Sequence, residues 1–218
     1  MVNKNHLFFP ICFMVMGIVI QIIAYNLGND SLLSLISGIF GVFAVILTSL
    51  RKMSMYVFGF LQLGTYMILA YQNRLYGEFA ENIFYAITMV IGVFVWKNHY
   101  DGNQVETRSL KFNEQILTMF GIAVGTVILY VILLYTDDSQ PFMDSISTIP
   151  AFIAQILMIM RYREQWILWI IVDVTSCVLW FNAHNWCMLA QYAFWTINCL
   201  YGWYLWKQQF KINKLHNK

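Results

Sequence analysis

The sequence predicts an all-α protein, a polytopic membrane bundle of eight transmembrane helices. Three observations carry that expectation: a composition too apolar for a soluble globule, eight apolar runs of spanning length, and basic residues gathered almost wholly on one side of those runs. The chain is 60% hydrophobic and 11% charged, with a mean hydropathy of +0.60, against roughly 25% charged residues in a soluble domain. Its 218 residues hold one compact membrane domain, 1–218, and leave no room for an added soluble catalytic domain.

Crossing the hydrocarbon takes about 20 helical residues at about 1.5 Å each. Runs of that kind occupy 7–25, 32–50, 54–72, 78–96, 115–135, 143–160, 165–182 and 186–206. In lipid every peptide group needs a partner inside the protein, which a helix supplies within one segment, and the alternation of a barrel strand is absent. Of the 13 Lys and Arg residues, 12 fall on one side: Lys4, Arg51, Lys52, Lys97, Arg108, Lys111, Arg161, Arg163, Lys207, Lys211, Lys214 and Lys218. Only Arg74 falls on the other, whose short loops carry Asp30, Asp137 and Asp138. The positive-inside rule then places both termini in the cytoplasm and makes the number of spans even.

The first run reads as a span rather than a signal peptide, because it exceeds the roughly 7 to 15 residues of an h-region and no A-x-A pattern follows Tyr25. The 98–114 segment reads as a polar cytoplasmic connector. Cys12, Cys177, Cys187 and Cys199 lie in or beside apolar runs without CxxC spacing and read as small packing residues. Pro150, inside its run, is expected to kink that helix.

An internal repeat organises these runs. Arg51–Lys97 aligns without a gap on Arg161–Lys207, 110 positions later, with nine identities in 47 positions: Arg51, Thr65, Leu69, Ala80, Phe84, Ile87, Gly92, Trp96 and Lys97. Aromatic exchanges fall in step, Tyr56 with Trp166, Tyr76 with Trp186, Tyr85 with Trp195 and Phe94 with Tyr204. The offset spans four helices, so both copies cross the membrane in one direction. The expected order is an extra N-terminal helix (7–25), a three-helix repeat (32–97), a linker helix (115–135) and a second three-helix repeat (143–207). Parallel repeats of this kind resemble the plan of SWEET transporters, whose substrate sits near mid-membrane between the halves.

The stretches RYREQWILWIIVDV (161–174), LRKMSMYVFGF (50–60), NRLYGEFAENIFY (73–85) and YGWYLW (201–206) resemble the Pnu-type bacterial vitamin transporters, best known for nicotinamide riboside. The resemblance covers nearly everything after residue 31, and some members carry the extra N-terminal helix. It implies a multi-pass protein of the bacterial inner membrane that takes up an unphosphorylated vitamin or precursor by facilitated diffusion. It also implies trapping by a separate cytoplasmic kinase and assembly as a homotrimer. The partners implied are a small-molecule vitamin and the lipid bilayer, with no nucleic acid and no cofactor.

Ionisable groups inside a span are costly and are functional candidates by default. Asp173 lies deep in the 165–182 run and Glu81 about one turn into the 78–96 run. Nicotinamide riboside and thiamine each carry a fixed positive charge on an aromatic ring, which a carboxylate with aromatic faces suits. The alternative for Glu81 is an interfacial pair with Arg74, and for Asp173 a hydrogen-bonded packing role. Gln191 and Asn198, seven apart, share a helix face, as roughly do their counterparts Glu81 and Thr88. With Asn82 and Gln62 they read as substrate contacts or as interhelical hydrogen bonds. Trp169 and Trp195, with Tyr85, are the candidates for stacking on the substrate ring. Trp166 completes a W-x-x-W with Trp169 that is a feature of the family; membrane anchoring is the alternative reading for Trp166, Trp203 and Trp206.

Nicotinamide riboside members have a Gln and an Asn where this chain has Asn82 and Met89, and an Asn where it has Asp173. The substrate thus stays open between nicotinamide riboside and thiamine or riboflavin. Copy two carries Trp169, Asp173, Gln191, Trp195 and Asn198 where copy one has Gly59, Leu63, Glu81, Tyr85 and Thr88, which predicts a lopsided site. No Walker A, G-x-G-x-x-G or H-E-x-x-H pattern appears, so neither a catalytic nor a metal site is expected. A receptor or structural membrane protein is the competing class.

Overall fold

The computed structural model describes residues 5–28, 31–72, 76–136, 141–182 and 186–216. Eight helices account for their regular structure: α1 (Asn5–Gly28), α2 (Leu32–Ser49), α3 (Met55–Gln72), α4 (Tyr76–Lys97), α5 (Phe112–Leu133), α6 (Pro141–Ile159), α7 (Gln165–Asn182) and α8 (Trp186–His216). Arg74, the suggested partner of Glu81, lies outside the described residues, as do Asp30, Asp137, Asp138, Lys4, His184 and Lys218.

The helices follow the apolar runs closely, because a peptide group in hydrocarbon must be bonded along its own segment. Among the described residues, Phe9–Gly28, Leu32–Ser49, Phe112–Leu133 and Pro141–Ile159 are long and apolar enough to cross a membrane. In α3 and α7, only Met55–Leu69 and Gln165–Val178 form such apolar stretches, and these are shorter. One expectation fails in length: α8 runs to His216, past the expected end at residue 206. The polar residues beyond Trp206 contain no Gly or Pro, so nothing stops the helix where its apolar run ends. Pro150 lies buried inside α6, which remains one continuous helix.

The chain divides into two compact units, Met1–Val105 and Glu106–Lys218. In the first, α2 packs on α1 and α3, and α3 on α4. In the second, α6 packs on α5 and α7, and α7 on α8. Gly38 lets α1 approach α2, since a Cβ there would collide with the Gln21 amide.

Positions 110 apart adopt the same local geometry. Arg51 and Arg161 are the non-glycine residues with positive φ among those described, at 57° and 67°. Each follows the end of a helix, and each turn closes as a Schellman motif. In α2, Arg51 N–H bonds Thr48 O at 3.0 Å and Lys52 N–H bonds Leu47 O at 2.9 Å; in α6, Arg161 N–H bonds Met158 O at 3.0 Å and Tyr162 N–H bonds Leu157 O at 2.8 Å. Glycine usually fills this left-handed position; an L-residue there costs about 1–2 kcal/mol.

The arginine side chains give a reason for the exchange, because both reach the 98–111 segment. The Arg51 guanidinium bonds the Gln104 side chain, and Arg161 Nη1 donates to Glu106 O at 3.3 Å. Backbone bonds add to this: Val105 N–H to Arg51 O at 3.0 Å in the first unit, Arg108 N–H to Arg161 O at 2.8 Å in the second. Val105, Thr107 and Leu110 are buried. The segment is therefore packed structure rather than the simple polar connector expected. Its tip is an Asx turn in which Asp101 Oδ1 accepts Asn103 N–H at 2.8 Å and Gln104 N–H at 2.6 Å, with Gly102 at φ 92°.

Equivalent aromatic pairs close both units. Tyr56 meets Trp96 edge-on, 5.4 Å between ring centres and 84° between planes; Trp166 meets Trp206 at 5.8 Å and 82°. All four side chains are buried, so Trp166 and Trp206 are core residues of their unit rather than anchors in an interfacial belt. Trp166 also fills the space over Gly202, where an added Cβ would lie 2.6 Å from its ring.

Gly202→Ala should therefore lower stability by about 1–3 kcal/mol, the range for overpacking. Gly64→Ala, which meets nothing within 4 Å, should gain up to about 1 kcal/mol from helix propensity. Melting in detergent compares the two, and equal effects would contradict the packing at Gly202.

The bonds from Gln104 and Asn103 N–H, with Arg51 nearby, hold the Asp101 carboxyl below its usual range. Burial lowers Arg51 to about 10, partly offset by Asp101. Because the folded value of Asp101 is depressed, its stabilisation is present above the unfolded value of about 4 and lost as pH falls through the lower folded one. The melting difference between the parent protein and Asp101→Ala should hold from neutral pH down to about 4 and shrink below it.

Candidate functional site

Helix α7 carries its carboxylate after the apolar stretch 166–172 and just before Thr175 and Ser176. Asp173 is buried, and its one hydrogen bond among the described residues comes from the Cys199 thiol of α8, Sγ to Oδ2 at 3.3 Å. No cation lies within ion-pair reach of it among those residues, where the ion pair observed is Arg163–Glu164. A buried carboxylate with a single weak donor is poorly compensated, and a cationic ligand would repay part of that cost.

Cys199 is the functional neighbour that sequence reasoning missed. Treated alone it reads as a small packing residue, but the repeat held the signal. Asp173 replaces Leu63 and Cys199 replaces Met89, so both members of the contact change in the same copy. A second exchange accompanies it. In the first unit Met89 lays its methyl over Gly59, where an added Cβ would lie 2.6 Å away; in the second, the equivalents are Cys199 and Trp169. The large residue has moved from the fourth helix to the seventh.

The rest of the second unit's candidates lie on α6, α7 and α8. Asn198 is almost wholly buried beside Cys199, and Gln191 and Trp195 are half-buried. Trp195 meets Tyr192 edge-on at 5.2 Å and 74°, and its indole N–H is buried without a hydrogen-bond partner. Such an orphaned donor calls for an explanation, and a ligand acceptor is one. Trp169 is half-buried against the cluster of Leu110, Ala154, Leu157 and Leu168. Trp166 has one ring face over Gly202 and lies edge-on to Trp206, while its N–H is unpartnered. Gln155 of α6 is buried as well.

In the first unit the candidates lie on α3 and α4. Tyr85 O–H donates to Glu81 Oε1 at 2.6 Å, one turn apart on α4. Asn82 and Thr88 are buried, and the Thr88 hydroxyl bonds Phe84 O at 2.9 Å and Tyr85 O at 3.0 Å of its own helix. Gln62 of α3 is half-buried against Gly41. The structure thus joins Glu81 with Tyr85 in one unit, and Asp173 with Cys199 and Trp195 with Tyr192 in the other. Among the described residues no His, Cys, Asp and Glu cluster suits a metal ion.

The family described as nicotinamide mononucleotide transporter matches residues 31–208. Among curated relatives, the nicotinamide riboside transporter PnuC of Haemophilus influenzae is 35% identical over 208 residues, covering 93% of this chain and 91% of the relative. That of Neisseria mucosa is 28% identical over 218 residues, covering 93% and 82%. A solved structure described as the vitamin B3 transporter PnuC superposes with a TM-score of 0.79 at 27% identity, covering 94% of this chain and 92% of that one. The chain accordingly belongs to the nicotinamide mononucleotide transporter family of multi-pass membrane proteins.

Proposed function

We propose that this chain carries nicotinamide riboside across the bacterial inner membrane by facilitated diffusion with alternating access. In this reading all eight helices span, both termini are cytoplasmic, and two parallel three-helix repeats, 32–97 and 143–207, flank the linker helix. The protein works as a homotrimer, and a cytoplasmic kinase traps the product by phosphorylation. In the second unit Asp173 is offered to the charged pyridinium ring, with Trp169 and Trp195 as stacking faces and Gln191 and Asn198 as hydrogen-bonding groups; in the first unit Tyr85 is the stacking candidate and Asn82, Thr88 and Gln62 are the polar ones. Trp166 and Glu81 support that set, Trp166 through Trp169 and Glu81 through Tyr85.

The observation that carries the reading is the buried Asp173, with no cation beside it among the described residues. It favours one of the two substrates that the family description and the relatives' names suggest. The family description names the mononucleotide, the relatives the riboside. No Lys or Arg occurs inside the helices except toward the ends of α4 and α8. A phosphate dianion would therefore meet Asp173 with no arginine or lysine to offset it, whereas a ring cation meets an opposite charge. Thiamine, also a ring cation, suits the same carboxylate.

Calorimetric titration of the purified protein with nicotinamide riboside, its mononucleotide, thiamine and riboflavin separates these cases. Nicotinamide riboside is expected to bind and the mononucleotide to bind at least about tenfold more weakly, a difference of 1.4 kcal/mol or more. Binding of thiamine or riboflavin alone would move the assignment within the family, and failure to bind or take up any vitamin in proteoliposomes would favour a receptor.

Asp173→Asn keeps the shape and removes the charge. It should weaken binding of nicotinamide riboside about ten- to a hundredfold, about 1.4–2.8 kcal/mol, with little change in melting temperature. Unchanged uptake by this variant would remove Asp173 from the site.

A further inference from the structure

Helix α5 has no buried residue, and among the described residues of its unit it packs chiefly on α6. Beside its first turns, within the second unit, lies a cavity of about 350 Å³. Met119 and Ile122 of α5, Leu157 of α6 and Ile167 of α7 line its apolar part, and Arg163 and Trp203 stand at its basic end.

Arg163 is prepared for an anion. Its Nε bonds Glu164 Oε1 at 3.0 Å, but Glu164 also accepts Ser109 O–H at 2.7 Å and Leu110 N–H at 3.1 Å, so that carboxylate is already covered by three donors. The guanidinium carbon lies 5.3 Å from the Trp203 ring centre and 4.9 Å from that of Phe210. Rings occupy its faces, and the in-plane Nη donors have no acceptor among the described residues. Glu164 lines the cavity beside Arg163, and exposed Lys207 and Lys211 lie outside the lining, one and two turns beyond Trp203 on α8.

An occupant must be anionic at one end and apolar along the other. We infer that this groove holds an anionic phospholipid, its phosphate on Arg163 and an acyl chain against Met119, Ile122, Leu157 and Ile167. The guanidinium fork matches two phosphate oxygens, and a juxtamembrane cation gains about 1 kcal/mol at an anionic leaflet. Neither Asp173 nor Cys199 lines the groove, while Trp169 packs on the Leu110, Leu157 and Leu168 cluster that borders it.

Melting in a neutral detergent tests it, with phosphatidylglycerol, phosphatidylcholine or soluble glycerol phosphate added. Phosphatidylglycerol should raise the melting temperature clearly more than phosphatidylcholine, and glycerol phosphate should do nothing. Arg163→Gln should remove that preference. Thr118→Phe, which fills the cavity from the exposed helix, should remove it too while every charge stays in place. Equal effects of the two lipids, a response to glycerol phosphate, or a preference kept in both variants would overturn the inference.

Discussion

A peptide group in hydrocarbon has no water to bond, and this constraint shapes each level of the molecule. Inside the spans it leaves the helix as the local solution. At the ends it makes the last carbonyls of each helix a problem, solved for α2 and α6 by the same Schellman closure. Glycine would close these turns with less strain. Arginine does so while reaching Gln104 in one unit and Glu106 in the other, so helix termination and loop docking are one device.

The same constraint explains what could be read from sequence. Apolar runs fixed the helices to within a few residues because the hydrocarbon gives no alternative to helix. Where the solvent changes, so does legibility: α8 continues past its apolar run since water and helix are compatible there. The 98–111 segment is polar by composition, yet it buries Val105, Thr107 and Leu110, through backbone bonds that carry no side-chain signature. The repeat was legible as identities, but that its first pair, Arg51 and Arg161, marks a left-handed turn is a backbone property that the letters do not carry.

The candidate site was legible in its charged member and not in its neighbour. Asp173 stands out because a carboxylate among apolar residues is costly anywhere in a span. Cys199 does not, because cysteine serves equally as a small hydrophobe and as a weak donor. Only comparison with Met89 shows that it changed together with Asp173. The Trp166 and Trp206 rings were ambiguous for a related reason, since tryptophan near a span's end suits both the lipid interface and a core, and Gly202, a gap in the opposite helix, is what makes room for the core choice.

The two copies also differ in what a carboxylate would meet at this level. Placing an acid at Leu63 as well would bury a second charge, and in that unit Met89 stands where Cys199 supplies the thiol. That second acid would lack its donor and would cost more than it returned. Between the copies there is a size exchange, Gly59 with Met89 against Trp169 with Cys199, and the acid stands in the second.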